Sequence, residues 1–260
     1  DFAQQMLPYL FLLLAFIAHK VRRVHQATFR IEAAAGRAAR EAEVTYGQIQ
    51  AYLSLERLLS LPYPLPPLRG WAGSPDFLLL LARTAPADKP AVVVECSSGA
   101  STVVLARALQ MNGAGHVYSL EHDPVFAQKT RDLLAQQGLS SWADVIDAPL
   151  TPWPEFEGRS WYALDGLASL QGAVEMLVID GPPTATGPCA RHPAVPALAS
   201  RLKVGARVFL DDADRDEERE AVRRWAEGGY TSDLEYLPAE KGCAKFAFST
   251  PAGGRSSGDR

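Results

Sequence analysis

The chain is poor in cysteine. It has three, Cys96, Cys189 and Cys243, an odd number at spacings that match no metal-ligand pattern. A disulfide-stapled scaffold is therefore not expected, and buried thiols in a reducing compartment are. The chain has no basic excess either: 26 Lys and Arg stand against 30 Asp and Glu, a net charge of −4. No nucleic-acid surface is expected from that balance. The six-residue triple-glycine fingerprint of dinucleotide-binding turns is missing, which discourages a nicotinamide-dependent oxidoreductase. From Val21 to Tyr52 there is no proline. The apolar run Met6–Ala18 has only 13 residues, where a membrane span needs about 20.

Against these gaps one stretch stands out, Ala91-Val-Val-Val-Glu-Cys-Ser-Ser-Gly-Ala-Ser-Thr102. Val92–Val94 is an apolar, β-branched run and reads as a buried strand ended by Glu95. Small residues follow from Cys96 to Ser101, and a helix capped by Ser101 or Thr102 comes next. Strand, small-residue turn and helix bring a nucleotide-like ligand against backbone N–H groups at the carboxyl end of a sheet. An ordinary βα turn has the same composition. Cys96 reads as a small residue packing behind this turn. The next apolar, alternating stretch, His116-Val-Tyr-Ser-Leu-Glu121, ends in an acid 22 residues past Gly99. An acid so placed can accept hydrogen bonds from both hydroxyls of a ribose.

Glu95-Cys-Ser-Ser-Gly-Ala-Ser-Thr102, Ser119-Leu-Glu-His-Asp123 and Val178-Ile-Asp-Gly-Pro-Pro183, in that order, resemble the successive motifs of class I S-adenosylmethionine (SAM)-dependent methyltransferases. The likeness covers roughly residues 65–250. It implies an α/β fold: a Rossmann-like, seven-stranded, mostly parallel sheet with an antiparallel last strand, here preceded by a long N-terminal helix. It implies SAM as cofactor, held by Glu95, Ser97, Gly99, Ser101, Thr102, Glu121, His122, Pro149 and Asp180. Ser97 stands where the family has a glycine, which a serine can replace if that backbone does not need positive φ.

The expected organisation is a membrane-anchor helix over 1–19, a coiled-coil helix over 20–60, a proline-rich linker over 61–73, a methyltransferase domain over 74–250 and a disordered tail over 251–260. The anchor reading rests on Met6–Ala18, with Lys20, Arg22, Arg23 and Arg30 after it, a charge order that places the remaining chain in the cytoplasm; a buried or interfacial helix is the alternative. Val21, Val24, Thr28, Ile31, Ala35, Ala38, Ala42, Thr45, Ile49 and Tyr52 alternate steps of three and four, the pattern of a coiled coil. That predicts a homo-oligomer, or else a long helix lying along its own domain. Trp71 reads as a core anchor or as part of a cover over the site. Trp153, Phe156, Trp161 and Tyr162 in the stretch 151–172 form a substrate wall or shielding loop packing.

Methyl transfer from a sulfonium needs alignment and a base for the acceptor's proton. Asp180, His192 and Asp211 are the catalytic candidates. Asp180, Asp211 and Asp212 fall at the ends of adjacent strands and repel one another unless a cation intervenes. Mg²⁺ suits such oxygen ligands, and the pattern is similar to metal-dependent, catechol-type O-methyltransferases, although Asp212 stands where that group has an amide. The alternative pairs these acids with Arg191 or Arg215. The reading is thus a membrane-anchored SAM-dependent methyltransferase acting on the oxygen of a small-molecule or lipid-linked acceptor. The competing reading is a non-catalytic coiled-coil scaffold with a degenerate methyltransferase fold.

Overall fold

The structure is a computed structural model and describes residues 2–68, 70–153, 159–168, 170 and 172–251. Phe156 and the expected tail beyond Pro251 lie outside the described residues. The chain divides into two units, Asp1–Gly47 and Gln48–Arg260.

Between Tyr9 and Leu61 there is no proline, and alanine, leucine, glutamate and arginine are frequent, residues that lose little freedom in a helix. They form one helix, α1 (Phe2–Leu59), the long N-terminal helix expected. The membrane anchor is overturned: among the described residues no helix is long and apolar enough to cross a membrane. Met6–Ala18 gives roughly 20 Å of helix against about 30 Å of hydrocarbon. Gln4 and Gln5 before it, and His19, Lys20, Arg22 and Arg23 after it, prevent its extension. The cytoplasmic placement expected from that span goes with it. Along the heptad seam Val21, Val24 and Ile31 are exposed in the single chain.

In the second unit the last turns of α1 bury Ala51, Leu55 and Leu59, a stripe at intervals of four. They join Phe77, Leu78 and Leu81 of α2 (Pro75–Asp88) in one apolar cluster. Leu61–Leu68, with four prolines, forms no regular element, because proline lacks the donor that helix or sheet requires. Pro75 occupies the first turn of α2 as expected, but Ser74 makes no side-chain cap to the helix; its hydroxyl donates to Asp76 instead.

The strands are β1 (Val92–Cys96), β2 (His116–Glu121), β3 (Ala143–Asp147), a small antiparallel pair β4 (Leu150–Pro152) and β5 (Ser160–Tyr162), then β6 (Val174–Ile179), β7 (Leu202–Asp211), β8 (Thr231–Leu237) and β9 (Cys243–Phe248). The main sheet has the order β3-β2-β1-β6-β7-β9-β8. β9 runs antiparallel to β7 and to β8, while the pairs from β3 to β7 are parallel. This is the Rossmann-like seven-stranded sheet expected. Helices α3 (Ala100–Asn112), α4 (Pro124–Gln136), α5 (Ala194–Leu198) and α6 (Asp216–Glu227) complete it. β1 is buried throughout, as a central strand covered on both faces must be. Its side chains alternate between two cores: Val93 packs with Leu105 and Phe209, Val92 and Val94 with Trp161, Trp225 and Phe246. The expected aromatic wall is therefore mostly interior, since Trp161 and Tyr162 are fully buried.

Candidate active site

Strand order reverses between β1 and β6. At such a switch point the two connecting chains leave in opposite directions and open a crevice at the strands' carboxyl ends. A cavity of about 500 Å³ lies there, lined from β1 by Ser97–Ser101, from β2 by Glu121–Asp123, from β6 by Asp180, Pro183 and Thr184, and from β7 by Asp212. That volume suits a small-molecule site.

The β1–β2 side is built from hydroxyls and backbone. The helix cap is Gly99 rather than Ser101 or Thr102, and α3 starts at Ala100. Thr102 Oγ1 accepts from the Gly99 N–H at 3.0 Å and donates to Glu95 Oε2 at 2.6 Å. Ser119 Oγ lies 2.8 Å from the same oxygen and 2.7 Å from the Ser97 carbonyl. Glu95 is thus inside β1, fully buried, and braces the turn from behind. Burial pushes its carboxyl up to about 7, against hydrogen bonds from Ser101, Thr102 and Ser119. Glu121 lines the cavity at the tip of β2. Its Oε2 accepts from the N–H and the hydroxyl of Ser98, both at 3.0 Å, and its Oε1 accepts from the Asp123 N–H at 3.0 Å. The Ser98 hydroxyl also sits 3.0 Å from Thr130 Oγ1, so it has a second partner if a ribose hydroxyl takes its place. A carboxylate has about four acceptor sites, which leaves Glu121 able to take that hydroxyl. A Cβ at Gly99 would meet nothing within 4 Å: the turn faces open cavity. These residues fit an adenosyl cofactor.

Ser97 departs from the expectation. Its φ is 95°, so serine occupies a left-handed conformation that glycine adopts without strain. Across the turn, a Cβ on Gly181 would come within 2.5 Å of Tyr162 Oη and 2.8 Å of Ser97 Cβ. Only glycine allows the β6 loop to approach this closely.

The β6–β7 side is charged. One carboxylate oxygen from each of Asp180, Asp211 and Asp212 falls within 4.8 Å of the others. Arg191, from the turn before α5, reaches in among them. Its Nη2 donates to Asp212 Oδ2 at 2.7 Å and to the Asp180 carbonyl at 3.0 Å, and lies 3.4 Å from Asp180 Oδ1. Its Nη1 donates to the Asp211 carbonyl at 2.9 Å. Arg215 Nη1 stands 3.0 Å from Asp212 Oδ2, and Lys241 Nζ 3.9 Å from Asp212 Oδ1. Two of the three acids are thus already paired with the chain's own cations, and this donor set does not fit a resident Mg²⁺. Asp180 keeps a foothold in the cavity. Burial pushes its carboxyl up to about 6, opposed by Arg191 and reinforced by Asp212. Asp211 is fully buried, does not line the cavity, and neither of its oxygens has a hydrogen bond. Burial, then the charges of Asp180 and Asp212, push it well above the usual carboxylate range.

Of the residues expected from sequence, Ser97, Gly99, Ser101, Glu121, His122, Asp180 and Asp212 line the cavity, while Glu95, Thr102 and Asp211 stand behind it. His122 Nδ1 is 3.1 Å from Glu121 Oε1. Pro149 is exposed and does not line it; its carbonyl accepts from the Ala163 N–H. His192 does not line it either; its carbonyl takes the indole N–H of Trp225 at 2.8 Å. Trp71 is not a core anchor: it is 78% exposed and lines the cavity, 6.0 Å from the Phe126 ring. Sequence reasoning missed Ser98, Thr130 and Lys241. Ser98 stands between two assigned turn residues and was within reach; the other two arrive from α4 and the β8–β9 connection without any spacing signal.

A family model described as a methyltransferase domain matches residues 94–213. No curated protein matches the sequence. Among solved structures, the S-adenosylhomocysteine (SAH)-bound methyltransferase PaMTH1 of Podospora anserina is similar at a TM-score of 0.55 and 15% identity, over 76% of this chain and 88% of that one. The SAH complex of an O-methyltransferase from Bacillus cereus gives 0.54 and 15%, over 78% and 91%. TomG of Streptomyces achromogenes, an O-methyltransferase of tomaymycin synthesis bound to SAM, gives 0.51 and 20%, over 78% and 89%. Residues 94–213 thus match a methyltransferase-domain model, and the sheet to which they contribute has the fold of the solved methyltransferases.

Proposed function

We propose that the chain transfers a methyl group to a hydroxyl oxygen of a small-molecule acceptor, with Asp180 as the base. One observation carries this reading: a single cavity joins the small-residue turn Ser97–Ser101 and Glu121 at one end to a partly accessible carboxyl, Asp180, at the other. SAM, when bound, supplies both the methyl group and its leaving group. The chain's residues hold, orient and deprotonate. Glu121 would hold the cofactor through its ribose hydroxyls, and the small-residue turn at the start of α3 would offer it backbone N–H groups. Asp180 takes the acceptor's proton. Raised to about 6, its carboxyl is still mostly ionised at neutral pH and is a stronger base than an exposed aspartate. The O-methyltransferase neighbours support oxygen as the methylated atom.

Calorimetric titration of the full chain with SAM tests the reading. Micromolar binding is expected. No heat at millimolar SAM would instead favour the non-catalytic scaffold. The heptad seam of α1 supports assembly with a second copy, and sedimentation of the full chain reads that separately: a monomer at all concentrations would remove it.

A further inference from the structure

We propose that Arg191 takes the place of the divalent ion among the carboxylates at the ends of β6 and β7, so that this site runs on an internal cation and does not bind metal. The inference deepens the methyltransferase reading and rests on it for the role of Asp180.

The guanidinium is anchored from both strands. It donates to the backbone carbonyls of Asp180 and Asp211 and to the carboxylate of Asp212. A planar fork with five donors can serve several acceptors at fixed angles; a metal ion bound by side chains would leave those two carbonyls to find other donors. The turn that carries Arg191 is itself pinned to α6. The Cys189 N–H donates to Glu217, and Trp225 donates to the His192 carbonyl. Arg191 is 5% exposed, so it does not leave its place at small cost.

Charge balance agrees. Asp180, Asp211, Asp212 and Glu218 face Arg191, Arg215 and Lys241. Four carboxyl groups against three cations leave the cluster short by at most one positive charge. A divalent ion would overshoot that. It would also need oxygens at about 2 Å, and Nη2 already stands 2.7 Å from Asp212 Oδ2 and 3.4 Å from Asp180 Oδ1. Arg191 is therefore a positioning residue. It fixes the Asp180 carboxyl beside the cavity and holds the Asp212 carboxylate at 2.7 Å.

The experiment is a Mn²⁺ titration of the full chain followed by electron paramagnetic resonance of the free ion, with SAH binding measured in parallel. The wild type is expected to show no saturable Mn²⁺ site up to about 1 mM. In Arg191→Gln, removal of a like charge a few ångströms away should tighten Mn²⁺ binding by roughly tenfold or more, and adding Asp212→Asn should abolish the gain. Arg191→Lys keeps the charge and is expected to refuse Mn²⁺ while still binding SAH, which holds the test open should Arg191→Gln not fold. One equivalent of Mn²⁺ bound by the wild type and lost in Asp212→Asn would overturn the proposal. So would Mn²⁺ binding in Arg191→Lys. Failure of SAH to bind the wild type would instead count against the methyltransferase reading, and the Mn²⁺ result would stand apart from it.

Discussion

The two ends of the cavity solve the same problem, holding polar groups in a protein interior, in opposite ways. At the β1–β2 end the carboxylates Glu95 and Glu121 are met by hydroxyls and backbone N–H groups at 2.6–3.0 Å. At the β6–β7 end carboxylates meet guanidinium groups, and Asp211 Oδ1 and Oδ2, Asp212 Oδ1, Glu218 Oε2 and Arg191 Nε have no hydrogen bond at all. The first end is a cradle held by neutral donors, in which only Glu95 Oε1 and His122 Nδ1 are left without a hydrogen bond among the described residues. The second is an unfinished charge network in a low dielectric, where each group alters the proton affinity of its neighbours. Groups perturbed in this way are where chemistry is to be sought. Under the proposed methyl transfer, the difference assigns a division of labour: recognition at one end, proton transfer at the other.

The largest effect that sharpens this division is expected from Asp180→Asn. An asparagine cannot take the acceptor's proton. Methyl transfer to an alcohol that the wild type accepts, followed with a labelled methyl donor, should fall roughly 10²- to 10⁴-fold in kcat. Next comes Glu121→Ala. Losing hydrogen bonds to a charged acceptor costs about 1.5–3 kcal/mol each, so SAH affinity by calorimetry should fall roughly 100-fold. If the Asp180 variant instead lost cofactor binding and the Glu121 variant lost only turnover, the two ends would have exchanged roles.

These two residues also mark how far the sequence could be read. Glu121 was legible because a parallel strand, a turn and a crossover helix have nearly fixed lengths, so an acid 22 residues past Gly99 has one place to go. The sheet was legible for the same reason: the buried runs at Val92 and Val174 and the alternation at His116 and Cys243 each specify a strand. Asp180, Asp211 and Asp212 come together because they lie at the carboxyl ends of the adjacent strands β6 and β7. What occupied the space between them was open. Arg191 lies in a turn whose course depends on the contacts of Cys189 and His192 with α6, and no local periodicity encodes that. At the N-terminus the same residues satisfied two patterns at once: Met6–Ala18 is apolar enough to suggest a span, yet it reads as the first turns of a longer helix once its length is counted.

A smaller effect concerns pH. Asp180 acts as a base only when ionised, and its carboxyl is raised to about 6. The kcat/KM profile should therefore rise with pH, reach half its plateau near 6, and stay flat through neutrality. A half-maximum near pH 4 would mean that Asp180 is exposed like any surface acid, and the contrast between the two ends would weaken.

The smallest effect lies within the cradle. Ser97 holds a left-handed φ of 95°, a conformation that costs a non-glycine residue about 1–2 kcal/mol. Ser97→Gly relieves it at the expense of greater freedom in the unfolded chain. A net stabilisation of up to about 1 kcal/mol is expected in urea unfolding, with SAH affinity unchanged. A marked loss of affinity would show that the serine hydroxyl contributes to the ligand, beyond the backbone it occupies.

Calorimetry of SAH with the wild type, Glu121→Ala and Asp180→Asn in one series tests the division most directly. The account predicts micromolar binding in the wild type, the same within about twofold in Asp180→Asn, and roughly 100-fold weaker binding in Glu121→Ala. Equal affinities in all three, or none in any, would contradict it.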